Sequence, residues 1–246
     1  MKKPIDWVAF DVETTGIDEP QQALQPWSSR SRMISFAFAH WGTSTRIKSS
    51  ASHKCKRDAR IFLQKIITAD VPVVGWNTCF DVAWLIEMGL GEQVKKIKWL
   101  DGMLLWRALE RYPESDKAAG KRKRYGLKEA VKEFLPKYDG YDDHIDFLAT
   151  NQSASATLLE YNKKDAKFTL AVSRMLWERL ERDNPRGLRV ALLECSTIPM
   201  VAEHYINGLD VDVAAAQALS TKLDKQLREL AREMAQHGVT EEVLRS

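Results

Sequence analysis

Cysteine is scarce in this sequence. The three present, Cys55, Cys79 and Cys195, are widely spaced and form no CxxC pair, which argues against a disulfide framework or a zinc knuckle and points to a reduced, cytoplasmic protein. Twelve glycines and eight prolines in 246 residues are too few for a collagen-like or low-complexity chain. No apolar run approaches the ~20 residues of a membrane span, and Asp6, Asp11 and Glu13 interrupt what could be the apolar region of a signal peptide. What is present is 44% hydrophobic and 29% charged, with eight Trp, enough to bury a normal core and keep a solvated surface. The net charge of +3 hides an asymmetry. Residues 111–132 hold eight Lys/Arg against three acids, a local excess of five that leaves the rest of the chain at minus two.

The pattern predicts an α/β unit followed by helices. Ile5 to Val12 reads as a buried strand ending in the turn Thr14-Thr15-Gly16, Met33 to Trp41 as a second strand, and Thr43 to Lys48 as a third, joined to it by a hairpin at Gly42. Residues 58–67 have helical spacing, Val71 to Trp76 is a wholly apolar strand, and Phe80 to Met88 is a helix ended by Gly89. A short strand from Trp99 feeds a helix to Glu110, and the basic stretch is an exposed loop before a helix over 127–135. Ser153 or Ser155 caps a long helix ending near Arg182, and Asn184-Pro185 marks its end. Two further helices, over 188–206 and 213–236, form a helical appendage, so the expected domain boundary lies at 187.

Three groups of residues can carry chemistry. Asp11 and Glu13 are two apart on the first strand, which places both carboxylates on one face; a solvated strand end has the same signature. Asp81, in Asn77-Thr78-Cys79-Phe80-Asp81, follows the apolar strand, where an Asp commonly caps a helix. Tyr161 and Asp165 are four apart on the long helix and share a face, although neighbouring lysines offer Asp165 a plain ion pair.

In this order, FDVETTG, NTCFD and YNKKD resemble the three exonuclease motifs of the DEDD superfamily. The YxxxD spacing is similar to the DEDDy branch, which includes the proofreading domains of family-A DNA polymerases and ribonuclease D; Glu160 stands where the DEDDh branch has His. The resemblance covers roughly residues 5–182. It implies a ribonuclease-H-like mixed sheet flanked by helices, here followed by a C-terminal helical extension. Tyr205 to Asp212 (YINGLDVD) resembles the segment joining exonuclease to thumb in family-A polymerases, particularly of bacteriophages. The expected division is therefore an exonuclease domain over 1–187 and a linker with a partial thumb over 188–246.

The resemblance implies a two-metal 3′→5′ exonuclease that uses Mg²⁺ or Mn²⁺ on single-stranded or frayed DNA 3′ ends, a proofreading module with a polymerase domain in cis or in trans. Its compartment is the cytoplasm of a bacterium or a phage-infected host, with no membrane partner. Asp11 bridges the two ions, Glu13 and Asp165 join it on the nucleophile side, Asp81 acts on the second ion partly through water, and Tyr161 orients the attacking water. Among substrate contacts, Ile17 is an apolar wedge after Thr14 and the first motif, and Asn77 and Phe80 meet the terminal nucleotides. Trp76 stands where many relatives have His. Lys121, Arg122, Lys123 and Arg124 beside Tyr125 combine charge with an aromatic ring as a single-strand contact does, or form a solvated loop. An RNA-directed, ribonuclease-D-like enzyme and a silent nucleic-acid-binding domain are the alternatives. The apolar stripe over 213–236 leaves a monomer with a frayed helix, or weak self-association through it.

Overall fold

The computed structural model describes residues 6–40, 46–49, 52–110, 125–141 and 155–237. Five strands form one mixed sheet, β1 (Val8–Gly16), β2 (Ser31–His40), β3 (Arg46–Ser49), β4 (Val73–Gly75) and β5 (Trp99–Asp101), in the order β3-β2-β1-β4-β5. β1 pairs antiparallel with β2 and β2 with β3, whereas β1–β4 and β4–β5 are parallel. The helices are α1 (Ser52–Ala69), α2 (Thr78–Leu85), α3 (Gly91–Val94), α4 (Gly102–Leu109), α5 (Leu127–Phe134), α6 (Ala156–Asp183), α7 (Pro185–Ser196), α8 (Ile198–Asn207) and α9 (Val213–Gln236). This is the expected ribonuclease-H-like architecture.

The two faces of the sheet differ in side-chain size, and that difference places the site. On one face Phe10, Phe36, Val73 and Trp99 pack against α1, α2, α7 and α8 through Phe62, Leu63, Val82, Leu85, Cys195, Ile198 and Ala202. On the other, Ala9, Ala37 and Ala39 lie under Ala166 and Leu170 of α6. Small residues let a helix lie close to a strand, so polar side chains of α6 can touch β1. Asp11 and Glu13 follow Trp7 and Ala9 in the two-residue alternation and point to this α6 face.

β1 is longer than expected at its C-terminal end. Thr14, Thr15 and Gly16 stay paired with β2 instead of turning away, because a bulge at Glu13/Thr14 leaves Ile34 as an extra residue on β2. At Gly16 a Cβ would run into the Glu19 carbonyl. Asn184-Pro185 ends α6 as read from sequence, but no loop follows. The Asn184 side chain accepts from Gly187 N at 3.0 Å and Pro185 occupies the first turn of α7, the position at which its missing N–H is harmless. The expected helix over 188–206 is thus two helices, α7 and α8. Both supply buried residues to the core, and the first compact unit runs from Met1 to Asn207, past the boundary expected at 187; the second is Gly208–Ser246. Among the described residues, no helix is long and apolar enough to cross a membrane.

Candidate metal centre

β1 and α6 bring together three of the expected acids. Asp11, Glu13 and Asp165 each offer a carboxylate oxygen, and these oxygens lie within 4.8 Å of one another. Two are half-buried and Asp165 is buried, so the group is a pocketed cluster of charge on the wall of the fold.

Asp81 lies in the same electrostatic neighbourhood without belonging to that trio. It sits in the first turn of α2, is 3% exposed, and accepts a hydrogen bond from Val12 N at 3.0 Å. Its carboxylate is therefore tied to the strand between Asp11 and Glu13, and α2 is tied to β1 by the same bond. The loop before it is held by Asp101. That buried carboxylate accepts from Thr78 N at 2.8 Å and Asn77 N at 3.3 Å while capping α4 through Met103 N at 2.8 Å. Asn77 adopts left-handed backbone angles, φ 59° and ψ 47°, a conformation that Asn tolerates better than most residues.

The electrostatics follow from crowding. Burial first, then the Asp165, Glu13 and Asp81 carboxylates, hold Asp11 well above the usual carboxylate range, with the Asn162 amide working the other way. Glu13 is raised well above its range by burial and then by Asp165 and Asp81, partly opposed by the positive charge of Lys128 on α5. Asp81 is raised by burial and by Asp101, against the pull of the Val12 amide. Acids arranged so keep protons unless a cation lies among them. The donors are all carboxylate oxygens, which suits a hard divalent ion.

Tyr161 is buried beside the trio. Its hydroxyl hydrogen-bonds Asp165 one turn along α6, and burial and that carboxylate both push the phenol above its ordinary value. Ile34, the bulge residue, and Leu158 form its apolar seat.

Three residues at the site were not singled out from the sequence. Asn162 donates to Asp11 Oδ2 at 2.6 Å, and its own oxygen accepts from Ser35 Oγ at 3.2 Å, pinning the carboxylate to the sheet. Its signal was legible, since Leu158, Asn162, Asp165 and Thr169 follow one line of α6. Tyr141 donates to Asp165 Oδ1 at 2.6 Å and stacks on Tyr161 with ring centres 6.1 Å apart and planes 11° apart; nothing in the irregular stretch around it marks this role. Asp101, between a strand and a helix, looks like an ordinary cap, and half of its work is done on a loop distant in sequence.

The expected substrate contacts sit on separate elements. Thr14 spends its hydroxyl on Ala23 O at 2.9 Å, holding the loop after β1. Ile17 is half-buried in that loop, with its amide bonded to Arg30 O at 2.8 Å. Asn77 is exposed, whereas Phe80 is half-buried against the core and edge-on to Trp84. Trp76 donates to Tyr125 O at 2.8 Å and packs on Trp106. Lys121, Arg122, Lys123 and Arg124 lie outside the described residues.

No family model matches this chain, and no curated protein matches it in sequence. Solved structures do. One described as "apo form of the nuclease" is 20% identical and covers 84% of this chain and 88% of its own, with a TM-score of 0.57. The family B DNA polymerase from the hyperthermophilic archaeon Pyrobaculum calidifontis is 17% identical with a TM-score of 0.52; the match covers 80% of this chain but 27% of the polymerase. At such identities the likeness establishes the fold. It places the sheet and helices carrying the four acids in the architecture of a nuclease structure and of part of a polymerase.

Proposed function

We propose that this protein is a metal-dependent 3′→5′ exonuclease that trims single-stranded or frayed DNA 3′ ends and releases 5′-nucleoside monophosphates. The observation that carries the reading is the convergence of Asp11, Glu13 and Asp165 within 4.8 Å, with Asp81 close enough to raise the proton affinity of Asp11 and Glu13. The order of the three motifs supports the DEDDy assignment, and the nuclease and polymerase likenesses support the reaction class.

In this reading Asp11, Glu13 and Asp165 would hold one Mg²⁺ or Mn²⁺, and Asp81 would help to hold a second. Bound there, the ions would supply a water of lowered pKa and neutralise charge on the phosphate and the leaving oxygen. The protein supplies position. Asn162 fixes Asp11 through Oδ2 and Tyr141 fixes Asp165 through Oδ1, so the carboxylates meet a cation already oriented. Tyr161 stays protonated, because burial and Asp165 oppose its ionisation; with its one proton directed at Asp165, it would orient the nucleophilic water by accepting a hydrogen bond from it and would not remove the proton. Proofreading in a family-A polymerase is the context suggested by YINGLDVD at 205–212.

The test uses matched 5′-labelled DNA and RNA oligonucleotides with Mg²⁺ or Mn²⁺, against EDTA and an Asp11→Ala control. Stepwise shortening of the DNA from its 3′ end, lost in EDTA and in the variant, is the expected result. Undiminished cleavage by Asp11→Ala overturns the mechanism. Faster shortening of RNA moves the substrate to the ribonuclease-D-like class.

A further inference from the structure

The second unit contains a helix whose surface carries its own pairing instructions. α9 is 24 residues long, is capped by the Asp212 carboxylate on Ala215 N at 2.9 Å, and buries none of its side chains. Leu219, Leu223, Leu227 and Leu230 are 48–63% exposed. At 100° per residue, these four and Met234 fall within an arc of about 80°. Such a stripe is stabilised chiefly by packing against another surface.

The borders of the stripe indicate which surface. One border carries Lys222, Gln226, Glu229 and Glu233; the other carries Asp224 and, further round, Arg228. Two copies laid antiparallel, with a two-fold axis between residues 226 and 227, set Leu219 opposite Met234, Leu223 opposite Leu230, and Leu227 across from its counterpart. Antiparallel pairing brings like borders together. Lys222 of one copy then lies between Glu229 and Glu233 of the other. The apolar stripe and this charged border thus share one axis, as an isologous contact requires. A parallel pairing opposes unlike borders, and Glu233 then faces Ala231 and Ala235. We propose that α9 is a homotypic contact, pairing antiparallel with α9 of a second copy of this chain.

Sedimentation equilibrium on the full chain, over roughly 1 µM to 1 mM, measures the association. A monomer–dimer equilibrium is expected for the wild type, and Leu223→Glu with Leu230→Glu should weaken it by on the order of a hundredfold. Lys222→Glu should also weaken it, with recovery when Glu229→Lys and Glu233→Lys are added. For the register, Gln226→Cys should form a disulfide with its own counterpart beyond the wild-type background, while Leu219→Cys should not. A wild type that stays monomeric throughout, or a Leu219→Cys chain that links as readily as Gln226→Cys, overturns the proposal.

Discussion

Replacing Asp11 with asparagine isolates the electrostatic cost of the acidic cluster, because an asparagine carbonyl can still accept the hydrogen bond from Asn162 while the charge is removed. With ligand oxygens within 4.8 Å and an effective dielectric constant of ~20, each pair of ionised carboxylates repels by about 3.5 kcal/mol or more. The site sheds part of this by holding protons, so the removal of one charge should stabilise the metal-free protein by roughly 1–3 kcal/mol. At about 2–4 °C per kcal/mol for a chain of this length, Tm should rise by several degrees. The dependence on pH has a definite sign. The Asp11, Glu13 and Asp81 carboxyls are raised by folding, chiefly through burial. Their contribution to stability is therefore complete below the unfolded values near 4 and is lost as pH rises through the raised ones.

Thermal unfolding of wild type and Asp11→Asn in EDTA, at pH 5 and pH 8, measures this directly. The variant should be the more stable at pH 8, and its margin should shrink at pH 5. Added Mn²⁺ should raise the Tm of the wild type, by about 2.7 kcal/mol of stabilisation at a hundred times Kd, and have far less effect on the variant. An Asp11→Asn protein less stable than wild type in EDTA at pH 8, or equally stabilised by Mn²⁺, would refute the claim that these acids repel one another until a cation joins them.

Three further substitutions separate positioning from metal binding. Tyr161→Phe should slow hydrolysis by on the order of 10–10³ without abolishing it, since one orienting hydrogen bond is lost; a loss as complete as that of Asp165→Ala in the same assay would give the phenol a larger role. Tyr141→Phe removes the 2.6 Å bond to Asp165 and should raise the Mn²⁺ concentration needed for half-maximal rate by about tenfold, with little change in the rate at saturating metal. Asp101→Ala orphans the Thr78 and Asn77 amides along with the α4 cap and should cost about 2–4 kcal/mol in urea unfolding. Activity should fall with it, because Asp81 sits in the first turn of the helix whose start Asp101 holds.

Much of the fold was legible because local signals agreed with one another. The apolar strand over 71–76, the Ser155 cap and the 213–236 stripe all correspond to elements of the structure with nearby bounds. The departures have tertiary causes. β1 continues through Gly16 because β2 accommodates an extra residue at a bulge, and Pro185 starts a helix because the Asn184 side chain reaches forward to accept from Gly187 N. Neither the partner strand nor the cap geometry is written at the position that departs.

The site divides along the same line. Asp11, Glu13, Asp81, Tyr161 and Asp165 stand out in the sequence because three short motifs in order resemble those of a known family, and the structure brings Asp11, Glu13 and Asp165 within 4.8 Å with Tyr161 beside Asp165. Asn162, Tyr141 and Asp101 act between elements, and only Asn162 shares a helical line with a residue already suspected. These three residues make the cluster tenable. Repelling carboxylates would swing apart if their side chains were free, and here Oδ2 of Asp11 is held by Asn162, Oδ1 of Asp165 by Tyr141, and the start of the helix bearing Asp81 by Asp101. The alanines under α6 complete the arrangement, because a larger side chain at Ala9 or Ala37 would lift the helix and draw Asn162 and Asp165 away from β1. Crowded charge at the end of β1 is thus maintained by neutral hydrogen bonds and close packing, which remain when a cation enters and the repulsion disappears.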